Sequence, residues 1–193
     1  MSKQQLIITI SGAPGSGKST IAQLLAEKLK ANRIYVGAIR RELAREKGLN
    51  LEQLNQYALT HPETDVDVDQ KIAQEARETA KTNTVIVEGR TQFYFLPESF
   101  KIYIKCDLNE GAKRIWQQLQ NETDSKKRNE TKAKSLTELK KSIRDRIAND
   151  RQRYKKYYKI DHTDESHYDL VIDTTKITAK QATAIILKNL PKI

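Results

Sequence analysis

Nine consecutive residues near the N-terminus, Gly12-Ala13-Pro14-Gly15-Ser16-Gly17-Lys18-Ser19-Thr20, carry the spacing G-x-x-x-x-G-K-[ST] in full. Their chemistry is that of holding a polyphosphate. A triphosphate crowds negative charge, and backbone N–H groups can surround it only where side chains leave room. Gly12, Gly15 and Gly17 leave that room and permit unusual backbone angles. Lys18 has the reach for the β- and γ-phosphates, and the Ser19 hydroxyl can ligate Mg²⁺. A helix opening near Ser19 adds unpaired amides and a positive dipole end. The stretch sits between an apolar run, Leu6–Ser11, and an amphipathic one, the context this chemistry requires.

A partner carboxylate for the metal is expected at the end of a neighbouring strand. Val85-Ile86-Val87-Glu88 supplies one, Glu88, with a helix cap or a lysine partner as the alternative role. Gly89 then lets the chain pass close to bound phosphates, and Arg90 points into the same crevice. His61, His162 and His167 lack ligand spacing and read as surface residues. The lone Cys106 excludes an internal disulfide and fits a reducing cytoplasm.

The elements that position these groups alternate. Strands are expected at Leu6–Ser11, Ile34–Val36, Thr84–Val87, Ile102–Cys106 and Leu170–Ile172. Helices are expected at about 19–30, 38–47, 109–120, 135–158 and 178–190, with two short helical pieces bracketing His61-Pro62. This order argues for an α/β fold, a mostly parallel sheet covered on both faces. At 193 residues one domain is expected over 1–193. No apolar run is long enough for a signal core or a membrane span.

The net charge of +10 is local. Residues 125–160 hold fourteen Lys/Arg against four Asp/Glu, which leaves 21 of each elsewhere. Such a segment suits nucleic acid, a membrane surface or a polyphosphate, or simply a solvated helix face. Within it Leu139, Ile143, Ile147, Tyr154 and Tyr158 form an apolar stripe that includes Asp150, with Arg146 and Arg153 at its edge. An acid on a burying face is costly unless paired, so Asp150 is expected to orient one or both arginines.

Four stretches, residues 7–20, 35–44, 88–90 and 153–161, resemble the nucleoside monophosphate kinases, and most closely the archaeal-type cytidylate kinases. The strand 168–174 is similar too. The resemblance implies a P-loop NTPase three-layer fold with a five-stranded parallel sheet. A helical acceptor-binding segment at about 37–80 and a lid at about 121–158 would move over it. It implies ATP and Mg²⁺, with CMP or dCMP as acceptor and a soluble cytoplasmic enzyme. Carried over residue by residue, Arg41 after Gly37 would grip the acceptor phosphate, Arg90 would assist, and Arg146 and Arg153 of the lid would close on the transferring group. Arg114 would stack on adenine or lie on the surface. The chain departs from relatives in carrying Thr91 where bacterial cytidylate kinases commonly have aspartate, and Gly111 where many have arginine. Asp65 and Asp69 are then candidates to accept the cytosine amine, or lie on a solvated face. The rival readings are a P-loop kinase for another small acceptor and a nucleotide-gated nucleic-acid binder.

Overall fold

The computed structural model describes residues 5–120 and 133–191. Five parallel strands, β1 (Ile7–Gly12), β2 (Asn32–Tyr35), β3 (Val85–Glu88), β4 (Phe100–Lys105) and β5 (Leu170–Asp173), lie in the order β2-β3-β1-β4-β5. The helices are α1 (Lys18–Leu29), α2 (Val36–Glu46), α3 (Leu51–Tyr57), α4 (Glu63–Thr79), α5 (Gln92–Phe95), α6 (Leu108–Leu119), α7 (Leu136–Tyr158) and α8 (Ala179–Asn189). The α/β expectation and the five-stranded sheet are met.

Alternation along β1 builds two cores. Ile8 and Ile10 face α1 and α8 with Ile21, Leu25, Ala182 and Ile186, whereas Ile7 faces α4 with Ile72, Ala73 and Ala76. Two smaller clusters hold α7. Leu139 and Ile143 pack on Ala112 and Ile115 of α6, and Tyr154 and Tyr158 pack with Phe93 of α5.

The expected bounds shift by a residue or two, and three elements differ in kind. Val36 opens α2 instead of ending a strand, because the β2 ladder stops where Tyr35 pairs with Glu88, the last residue of β3. The short piece expected after Pro62 is a 17-residue helix, α4, whose buried Ile72, Ala73 and Ala76 hold it on the sheet. The four-residue α5 is too brief to leave a periodic signal. Part of the expected lid, residues 121–132, lies outside the described residues.

The phosphate loop is set by backbone packing. The Ala13 N–H donates to the Ile104 carbonyl at 3.0 Å, and Gly15 lies against α6. Gly15 has φ +76°, and a Cβ on it would stand 2.2 Å from the Gly111 carbonyl oxygen. A Cβ on Gly111 would in turn meet the Pro14 carbonyl at 2.7 Å. Gly111 is therefore a packing position, and a long side chain there would displace the loop. Gly111→Ala should cost about 1–3 kcal/mol through overpacking and weaken nucleotide binding, as urea denaturation and ATP titration would register.

Candidate active site

The register Ile10↔Glu88 brings the end of β3 beside the start of the phosphate loop. Glu88 is fully buried. Its Oε1 accepts from Lys18 Nζ at 2.7 Å and from Ser19 Oγ at 2.5 Å, and its Oε2 accepts from Arg33 Nη2 at 2.5 Å. Burial works to raise this carboxyl, but Lys18, Arg33 and Ser19 outweigh it and hold the group below its usual range. Ser19 Oγ and Glu88 offer hard oxygens at the opening of α1, the donor type Mg²⁺ takes. No side chain caps α1, so its first amides are left to a ligand.

Arg33 escaped the sequence reading. It lies just before the strand expected at Ile34–Val36, and only the observed β2 includes it; its second contact, Nη1 to Gln23 Oε1 at 2.9 Å, is with α1.

Arg41 lies at the same end of the sheet. Its Nη1 donates to the Tyr35 hydroxyl at 3.0 Å and to the Gly37 carbonyl at 2.8 Å. Tyr35 is the β2 residue paired with Glu88, so Arg41 adjoins that acid through one residue.

A second group alternates in charge. Arg90 pairs with Asp150, Asp150 with Arg153, Arg153 with Asp65, and Asp65 with Arg40. Arg153 is sealed from solvent and its Nε also donates to Asn149 Oδ1 at 2.8 Å. Asp150 is pulled far below the usual carboxylate range, because Arg90 and Arg153 overcome the cost of its burial. The expected pairing of Asp150 holds for Arg153, and the fold adds Arg90, 60 residues away. Arg153 is directed at two carboxylates and does not line the cleft, since carboxylates on a burying face require a cation.

Asp65 and Asp69 are not solvated. Both are buried on α4. Asp69 accepts from Thr91 Oγ1 at 2.8 Å, Gln92 Nε2 at 2.8 Å and the Tyr158 hydroxyl at 2.9 Å. Burial pushes its carboxyl up to about 6. Thr91, in place of an aspartate, thus serves an aspartate contributed by α4. His162 is also buried, edge-on to the Tyr154 ring, and burial drives it down to about 4. The surface expectation for this histidine is overturned because the turn after α7 folds it back onto Tyr154.

Arg146 lines a cleft of about 560 Å³ between α3 and α7, with Glu52, Asn55, Ser142 and Asn149. Ser142 Oγ donates to Glu52 at 3.0 Å, Tyr157 to the Ala58 carbonyl at 2.6 Å and Lys156 to the Leu59 carbonyl at 2.9 Å. These contacts fasten α7 along α3 and the turn that follows it. Arg114 is engaged by Glu110 and the Thr174 carbonyl, while the Thr174 hydroxyl donates to the Ser16 carbonyl at 2.8 Å. Arg114 thereby braces the loop after β5 against the phosphate loop. Among the described residues no group of three or more His, Cys, Asp or Glu is placed to hold a metal. Among them, too, no helix is long and apolar enough to cross a membrane.

Residues 8–136 match the AAA domain family. The chain is 38% identical over 188 residues to a cytidylate kinase of Methanocella arvoryzae, covering 97% of this chain and 98% of that one. It is 38% identical over 176 residues to a cytidylate kinase of Methanocaldococcus jannaschii, with 89% of each chain covered. Among solved structures, a shikimate kinase from Acinetobacter baumannii superimposes with a TM-score of 0.56 at 16% identity, over 95% of this chain and 92% of that one, a likeness of fold.

Two predictions follow from the buried charges. Asp150→Asn strips Arg90 of its counter-ion and Arg153 of one of two, and should cost about 3–5 kcal/mol in urea unfolding. The second concerns pH. Asp69 keeps its proton to about pH 6 in the folded state but releases it near 4 when unfolded. The folded state then binds more protons between pH 4 and 6, and stability falls as pH rises through that window. His162 acts oppositely. Unfolded it gains a proton below about 6.5, folded only below about 4, so stability rises with pH over nearly the same interval. Each contribution is on the order of 3 kcal/mol. Asp69→Asn should uncover a rising stability profile between pH 4 and 6.5, and His162→Phe a falling one, in urea titrations at stepped pH.

Proposed function

This chain belongs to the cytidylate kinase family, and on that footing we propose that it transfers the γ-phosphoryl group of ATP to CMP or dCMP, giving CDP or dCDP and ADP. The observation that carries this reading is the meeting of two cationic groups at the ends of β2 and β3. Lys18 and Ser19 stand on one side of Glu88, and Arg41 stands on the other through Tyr35.

An acceptor monophosphate is already a nucleophilic dianion, so its oxygen can attack the γ-phosphorus in line without a general base. The β–γ bridging P–O bond breaks and ADP departs with the electron pair. The obstacle is charge, and the work of the protein is to position and neutralise it. Lys18 turns from Glu88 to the β- and γ-phosphates, while Arg33 stays on Glu88 and keeps that acid paired. Ser19, assisted by Glu88, would hold Mg²⁺, which when bound offsets charge on the phosphate oxygens. Arg41 and Arg90 position the acceptor. Arg146, in the cleft between α3 and α7, is the lid arginine best placed to meet the transferring group. Arg153 acts through Asp150 and Asp65 to orient Arg90 and Arg40. Closure of α7 excludes water from the site.

A cytoplasmic location suits the single thiol of Cys106. The nucleic-acid rival needs exposed aromatics for stacking on bases, and the burial of Tyr154 and Tyr158 speaks against it.

ADP formation should be measured with ATP, Mg²⁺ and CMP, dCMP, UMP, AMP or GMP singly. CMP and dCMP should turn over fastest. Lys18→Ala should lower kcat by about 10²–10³-fold, and Arg41→Ala should raise the KM for CMP by about tenfold or more. Preference for another monophosphate would overturn the base assignment, and silence across the panel with ATP still bound would overturn the kinase reading.

A further inference from the structure

Tyr35 opens the stretch 35–44 but was assigned no role there, and it touches both halves of the site. It occupies the last position of β2, opposite Glu88 in the ladder. Its hydroxyl accepts from Arg41 Nη1, the nitrogen that also donates to the Gly37 carbonyl. Two acceptors on one nitrogen fix the plane of a guanidinium, which is what a two-pronged grip on a phosphate requires. The ring is held as firmly as the hydroxyl. The Arg33 guanidinium lies 5.0 Å from its centroid and that of Arg41 5.9 Å, both within cation–π range. On its other edge the ring abuts Gly37, where an added Cβ would come within 2.6 Å of Tyr35 Cε2. A tyrosine so placed relates the orientation of Arg41 to the ladder that carries Glu88.

We propose that Tyr35 is a positioning residue for acceptor binding: its hydroxyl holds the Arg41 guanidinium in the plane that receives the phosphate of the acceptor nucleotide. The inference rests on Arg41 binding that phosphate, as in the preceding section. Tyr35 touches no reacting atom and acts through Arg41. Since Arg41 would grip the phosphate equally before and during transfer, loss of the hydroxyl should appear in KM for the acceptor more than in kcat.

The test is Tyr35→Phe, which keeps the ring and both cation–π contacts. Initial rates against CMP should show KM raised by about three- to tenfold, the scale of one hydrogen bond to a charged group. The kcat should change by less than about threefold, with KM for ATP and the thermal midpoint unmoved. In an Arg41→Ala background the same substitution should add nothing, since the two residues act as one unit. A purely structural role would instead move KM for ATP and the thermal midpoint together, and would persist in the Arg41→Ala background. That outcome, or an unchanged KM for CMP in Tyr35→Phe, overturns this inference while leaving the kinase reading intact. Absence of CMP turnover in the unsubstituted protein overturns both.

Discussion

Three arginines and two aspartates, joined in alternation, with Asp150, Arg153 and Asp65 shut away from water and the two end arginines half-buried, decide where α7 can lie. Charges of this kind gain little net stability from one another, because removing them from water costs nearly what their attraction returns. They gain position. Arg90 rises from the end of β3, Asp150 and Arg153 from α7, Asp65 from α4 and Arg40 from α2. Displacing α7 would part Asp150 from Arg90 and Arg153 from Asp65, and an unpaired charge at these buried points is strongly unfavourable. Apolar packing at either end of α7 adds adhesion, and the charge chain adds register.

The same economy operates at Glu88. A fully buried acid with a single cation would bind that cation too tightly for it to do anything else. Two cations and a hydroxyl let one partner be lent out while the acid remains ionised. The phosphate loop beside it is held by the Ile104 carbonyl, by close packing on Gly111 and by the Thr174 hydroxyl.

How much of this was readable in the sequence follows from distance along the chain. The phosphate loop is written in nine adjacent residues and needs no partner to be recognised. Glu88 was found because an acid ending an apolar strand is a local event. Arg41, Arg90 and Arg146 came from resemblance. What the sequence hid was pairing between remote residues. Asp150 was rightly judged to need a partner, yet Arg90 could not be named without the fold. Asp65 and Asp69 sit in a helix so polar that its buried face is masked, since their partners come from α2, α5 and α7. Gly111 looked like a missing arginine because absence of a side chain leaves no hint of the carbonyl it makes room for.

The helix α7 adheres at both ends through apolar clusters, Leu139 and Ile143 at one and Tyr154 and Tyr158 at the other. Lifting it from the site wets those four side chains. Wetting apolar surface raises heat capacity, so any step that required α7 to lift would have an activation enthalpy that changes with temperature. Its rate, traced from cold to warm, would bend away from a straight Arrhenius line, in contrast to that of a hinged flap that exposes only polar surface.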